Sequence, residues 1–438
     1  MLDSNVEFRK ERQGMPRIIK HLLLFFFVFD AHFAGLGLPT FFTTKRIVAL
    51  LIICWAFATG RWPKKLSLGS GKKAYRAFAI LVAFVFFYAT ILRIGIGAGQ
   101  GIHIFNNILV FVLTGLLSAI AFLCLFDDFD ELMKSMIWIC IAQVVIIILF
   151  AMLPSLQIEI DRFLGVEEMN ADYRLRGYMT GFACSTSRGV LRLTTGLIGC
   201  VYFLLKDRKH TGKYIFYFAT IGVVATILGR TGLFVSGIGI LFICLSSAKR
   251  DFTAFVKIIS ALATLIILAI AIVQGFGLSD AVNELFARLL KLFDLGLYEG
   301  FFKSYFGQAE GSATVVPPLS IETMIGIGVT SGVSGNGITV NVDGGYARLY
   351  AALGLPVAIA FYLTLFVLMA KSIRAIKDVK VKTTMLFMFV YIFAIGEVKE
   401  YFVLEGYSLS LFFGLILLHD RENERKFCSE RIEVVQKH

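Results

Sequence analysis

Charge is scarce in this chain: Asp, Glu, Lys and Arg make up only 17% of 438 residues, where a soluble domain carries about 25%. Proline is rare as well, with seven residues, and no Pro- or Ser-rich linker, low-complexity tract or internal repeat divides the sequence, which reads as one domain over 1–438. The six histidines, His21, His32, His103, His210, His419 and His438, do not cluster, and the seven cysteines form neither a CxxC pair nor a Cys/His spacing. A zinc site, a Ser/His/Asp triad and a disulfide framework are therefore not expected. No small-residue cleavage site separates the first apolar run from the next, so the N-terminal segment does not read as a cleaved signal peptide.

What is abundant is apolar. Hydrophobic residues make up 57% of the chain and the mean hydropathy is +0.78, the composition of an all-α, polytopic helical membrane protein. Apolar runs at about 21–38, 47–60, 77–98, 102–126, 133–153, 179–205, 214–229, 231–247, 256–275, 346–370, 383–397 and 402–419 predict about twelve transmembrane helices. With the N-terminus cytoplasmic, the segments 1–20, 61–76, 127–134, 206–213, 248–257, 371–382 and 419–438 all face the cytoplasm and hold 29 of the 43 Lys and Arg residues, as the positive-inside rule requires. Both termini are then cytoplasmic. The net charge of +12 lies in these short loops without a basic stripe or recognition motif, so nucleic-acid binding is not expected.

Two non-cytoplasmic segments are long. One, about 154–178, carries Asp161, Arg162, Glu167, Glu168, Asp172, Arg174 and Arg176. The other, the large late loop at 276–345, opens with AVNELFARLLKLFDLG, which places Val282, Leu285, Phe286, Leu289, Leu290 and Phe293 on one helical face. That spacing predicts a short amphipathic helix, either lying in the membrane interface or packed on the bundle as a lid. The Gly-rich end of the loop, GIGVTSGVSGNGITVNVDGG, lacks the Lys-Ser/Thr of a P-loop and does not read as a nucleotide site.

The charges away from the cytoplasmic loops differ in kind. Of those 14 basic residues ten are arginine, against 11 of 29 on the cytoplasmic side. Topology asks only for positive charge, whereas a planar fork of donors that stays ionised suits phosphate oxygens. Arg188 and Arg192 are one turn apart and share a helix face; a structural ion pair or snorkelling to the interface is the alternative use of each. Arg230, in LGRTGLF, sits at the tip of a tight helical hairpin, where a plain polar tip is the alternative. Arg348, at the mouth of the tenth run, serves as a third cation or as a helix-end anchor. Asp343, just before Gly344-Gly345 and five residues from Arg348, is placed to act as a base, an arginine partner or a helix cap. Glu322, Tyr346 and Arg176 are further candidates, and Glu397, Lys399, Glu400 and Glu405 gather near the last outer turn, where structural pairs are the commoner use. Asp30 and His32 in the first run are expected to satisfy each other or a neighbour.

A multispan chain with a Gly-Arg-Thr-Gly hairpin at 229–232, a large late loop ending in a G-x-G stretch, Asp343-Gly344-Gly345-Tyr346 before the next span and GEVKEYF before the last resembles the O-antigen and capsule repeat-unit polymerases, the Wzy family, relatives of the O-antigen ligases. The resemblance implies a glycosyltransferase of the bacterial inner membrane that polymerises an oligosaccharide carried on undecaprenyl pyrophosphate at the periplasmic face. It further implies no nucleotide sugar, no metal and no cofactor, and as partners membrane lipid, a chain-length regulator (Wzz) and a flippase (Wzx). Under it Arg188 and Arg230 match the two arginines thought to hold the pyrophosphate, with Arg192 and Arg348 as further cations. The related ligases carry a histidine in the large loop, and this chain has none between His210 and His419. A ligase and a lipid-linked oligosaccharide transporter remain the alternatives; a transporter more often shows paired repeats and charges near the midplane.

Overall fold

The computed structural model describes residues 15–31, 42–62, 70–96, 101–164, 186–207, 209–248, 319–334, 338–340, 344–399 and 403–436, with 36, 37 and 317 besides. It is an α-helical bundle. In chain order its elements are α1 (Arg17–Val28), α2 (Thr44–Ala58), α3 (Ser70–Ile96), α4 (Gly101–Phe111), α5 (Ser118–Leu125), α6 (Phe129–Met152), α7 (Pro154–Leu164), α8 (Thr186–Lys206), α9 (Thr211–Leu228), α10 (Arg230–Ala248), α11 (Ile321–Ile325), α12 (Gly345–Leu353), α13 (Leu355–Ala375), α14 (Val379–Val390), α15 (Glu397–Lys399) and α16 (Tyr407–Gln436). A two-residue antiparallel pair, β1 (Gly332–Val333) with β2 (Thr339–Val340), is the only strand pairing among the described residues.

Among the described residues seven helical stretches are long and apolar enough to cross a membrane: Gly71–Gly95, Ile104–Leu125, Phe129–Phe150, Arg188–Lys206, Thr211–Leu228, Leu355–Ala375 and Val379–Lys399, with Thr231–Leu245 a shorter apolar helix. The first apolar run forms a shorter helix than hydropathy suggests, whereas the second, 47–60, matches α2 in length. The helix of the first run stops at Val28 rather than 38, because Ala31 turns back onto the start of α2: its N–H donates to Thr44 Oγ1 at 2.7 Å and its carbonyl accepts from Thr44 N at 3.0 Å. The run at 346–370 is not one helix either. Gly354, at φ +84°, breaks it into α12 and α13, and Pro356 in the first turn of α13 has no N–H to continue the earlier ladder. The run 256–275 and the amphipathic segment at 282–294 lie outside the described residues.

Inside the bundle α8 is the central helix, packed against α6, α9, α10 and α14. Gly196 and Gly199 let it approach α6 closely: a Cβ at 199 would stand 2.7 Å from the Met133 carbonyl, the small-residue contact by which helices associate in lipid. Two continuous helical passes contain π turns, Val112–Leu117 between α4 and α5 and Tyr391–Gly396 between α14 and α15. Such insertions are frequent at functional sites, and both of these bear on the same loop.

Candidate functional site

The two ends of the bundle carry different charges. At the basic end lie Lys20, Lys206, Lys213, Arg374, Lys380 and Arg421, where α1, α6, α9 and α14 begin and where α8 and α13 end. At the other end the start of α8 presents Arg188 and Arg192.

Arg192 is 2% exposed, and its Nη2 lies 3.1 Å from Glu405 Oε2 and 3.9 Å from Asp30 Oδ2. Its Nη1 donates to the Asp30 carbonyl at 3.5 Å, and its guanidinium stands 5.8 Å from the centre of the Tyr407 ring. One turn earlier Arg188, 40% exposed, places Nε 3.2 Å from Glu405 Oε1. A single carboxylate thus takes one arginine on each oxygen. Asp30 is held in turn by Lys45, whose Nζ stands 3.3 Å from Oδ2 and whose backbone N–H donates to Oδ1 at 2.9 Å. Arg46 is also within electrostatic reach of Asp30. Four cations therefore share two carboxylates among the described residues. Removing such groups from water costs several kcal/mol per ion, which close pairing with these carboxylates offsets.

Glu405 owes its position to the loop joining α15 to α16. Thr114, in the first π turn, donates its hydroxyl to the Glu405 carbonyl at 3.2 Å. Gly406, at φ +82°, packs directly on Thr114 and Gly115, a place no side chain could fill. On the other side of the loop Glu397, fully buried, accepts the Val403 N–H at 2.7 Å and the Tyr362 hydroxyl.

The hairpin tip reaches the same place. Gly229, between α9 and α10, stands against Val190, midway between Arg188 and Arg192: a Cβ on Gly229 would be 3.3 Å from Val190 Cγ2. The backbone of Arg230, which opens α10, therefore lies beside the first turn of α8, and its side chain is outside the described residues. Arg348 is half-buried on α12, a helix that packs on α13, α11 and α15 rather than on α8. Tyr346, on the same helix, donates its hydroxyl to the Phe393 carbonyl at 2.8 Å and stacks near Tyr362, with ring centres 4.7 Å apart. Glu322 is exposed on the one-turn helix α11, apart from the arginines; the Ser320 hydroxyl holds its carboxyl below the usual range. Asp343, Arg176 and His32 lie outside the described residues.

The arginine pair was legible as a helix face, but its partners were not. Glu405 is 213 residues from Arg192 in sequence, and Asp30 takes Lys45 and Arg192. The available signal was a carboxylate placed just before an apolar run, next to a glycine. No known protein-family model matches the chain, and no curated protein matches it.

Proposed function

We propose that the protein is a polysaccharide polymerase that transfers a growing glycan from undecaprenyl pyrophosphate to the non-reducing end of a new lipid-linked repeat unit, without a metal. In this reading the chain crosses the bacterial inner membrane twelve times, with the Lys-rich end and both termini in the cytoplasm and the arginine end open to the periplasm. The observation that carries the proposal is the pairing of Arg188 and Arg192 on the two oxygens of one carboxylate, at the end where positive-inside topology does not call for arginines.

The chemistry follows from charge. The attacking hydroxyl oxygen of the acceptor sugar forms a bond to C1 of the donor glycan, and the C1–O bond to the carrier breaks, its electron pair leaving with undecaprenyl pyrophosphate. Guanidinium groups fixed beforehand stabilise the charge that builds on that leaving group, and removal of one such donor typically costs about 10²–10³-fold in rate. Arg188, exposed to 40% and paired at Nε with Glu405 Oε1, is the accessible cation that meets the pyrophosphate; Arg230, at the adjoining tip, adds a second fork, with Arg192 and Arg348 as further cations. Asp343, leading into α12, accepts the proton of the attacking hydroxyl. A single in-line displacement inverts C1.

The test is replacement of Arg188, Arg230 and Asp343 singly by alanine in a bacterial host lacking its own copy, with the surface polysaccharide resolved on a gel. The polymerase reading expects loss of the ladder with single repeats still attached to lipid A-core. Absence of any attached polysaccharide would indicate a ligase instead. Repeats stranded on the cytoplasmic side would indicate a flippase, and an intact ladder would remove these residues from the reaction.

A further inference from the structure

Glu397 is a fully buried carboxylate that belongs to none of the arginine contacts just described. It follows the second π turn, and three separate pieces of chain meet on it. Tyr362, from α13, donates its hydroxyl to Oε1. Val403 donates its backbone N–H to Oε2 at 2.7 Å. Gly345, the first residue of α12, lies so close that any Cβ there would fall on the carboxylate. Leaving a buried polar group without its hydrogen-bond partners is costly, so a carboxyl group enclosed in this way holds the segments that bond to it. Glu397 therefore has physical reasons to hold both the start of α12, which carries Tyr346 and Arg348, and the loop that ends in Glu405.

We propose that Glu397 is a positioning residue: by joining the start of α12 to the Val403–Glu405 loop, it fixes the acceptor side of the reaction centre in register with the arginines that grip the donor. The proposal deepens the polymerase reading and rests on it for its kinetic consequence, though not for its structural one. The donor grip has its own support, because Thr114 and Gly406 hold Glu405 from the other π turn and both arginines hold its side chain. Loss of Glu397 should then misplace the two halves relative to each other while leaving Arg188 and Arg192 on Glu405, so that donor affinity falls by no more than the small share of Arg348 on α12. A misplacement of about 1 Å costs roughly 100-fold in rate.

The test compares wild type, E397Q and the milder Y362F in lipid nanodiscs by two readouts. Hydrogen–deuterium exchange of peptides covering 344–350 and 403–406 should rise together in E397Q, whereas R188A should raise exchange at 403–406 only. In chain-extension assays on a lipid-linked repeat unit, E397Q should lower kcat by about 100-fold with KM for the lipid-linked donor within about twofold, and Y362F should give a smaller drop of the same form. Unchanged exchange at 344–350 in both variants would overturn the coupling, and wild-type kcat in E397Q would overturn its role. If wild type itself extends no chains while the paired exchange response is present, the polymerase reading fails and the coupling stands.

Discussion

Arg421, half-buried, and Arg192, fully buried, are arginines at opposite ends of the bundle, and they are used in opposite ways. Arg421, at the basic end, gives Nη1 to the Leu123 carbonyl and Nη2 to those of Phe126 and Asp127, at 2.6–2.7 Å, where α5 ends. Those carbonyls have no helical partner, and a cation there also meets the negative end of the helix dipole. Burial lowers the Arg421 guanidinium to about 10, so it is charged at neutral pH. Arg192 instead meets acid side chains contributed by distant segments, and a second arginine stands more exposed on the same carboxylate; the Nε of Arg192 and that of Arg421 both lack an acceptor among the described residues, so the contrast lies in what the other donors meet. The difference separates an arginine that closes a helix from a pair that organises a site.

If that contrast is right, cutting the two networks has unequal effects. The largest is expected for Glu405→Ala, which leaves Arg192 buried beside Asp30 alone; breaking a buried pair from one side costs about 3–5 kcal/mol, read as a large fall in the detergent-solubilised unfolding midpoint. Glu405→Ala combined with Arg192→Met should recover much of it, and failure to do so would mean that the pair is not the source of the loss. Arg421→Ala removes a charged cap and should cost about 1–2 kcal/mol while leaving the polysaccharide ladder in place. Loss of the ladder in that variant at wild-type stability would erase the distinction between the two ends.

The smallest effect concerns α7. Burial pushes the carboxyl of Asp161 up to about 6, against the opposing hydrogen bond from Gln157. The native state then binds more protons than the unfolded chain between about pH 4 and 6, so stability should decline slightly as pH rises through that window and lose this slope in Asp161→Asn. A slope of the opposite sign would place Asp161 in an ion pair instead.

How much of this could be read from the sequence depends on the range of the interaction. Hydropathy found the helices of α3, α4 to α5, α6, α8, α9, α13 and α14, because a long apolar run has few other stable forms in lipid. The i, i+4 spacing put Arg188 and Arg192 on one face for a purely local reason. Glu405 and Asp30 were legible as charges that need partners, but their pairing with α8 was not, since nothing local brings either to α8; the two π turns and the fold of residues 29–31 onto Thr44 and Lys45 do so, and neither leaves a mark on composition. Gly354 shows the reverse limit: the run 346–370 is apolar over most of its length, yet one glycine at φ +84° divides it into two helices.

The most direct measurement is the affinity of purified protein in nanodiscs for undecaprenyl diphosphate and undecaprenyl monophosphate, for wild type, Arg188→Ala and Arg188→Lys. The account predicts that wild type prefers the diphosphate by at least about tenfold, a difference of about 1.4 kcal/mol. Alanine should abolish that preference without lowering the unfolding midpoint by more than about 1 kcal/mol, and lysine, which keeps the charge but not the fork, should restore it only in part. Equal affinity of wild type and Arg188→Ala for the diphosphate would contradict it.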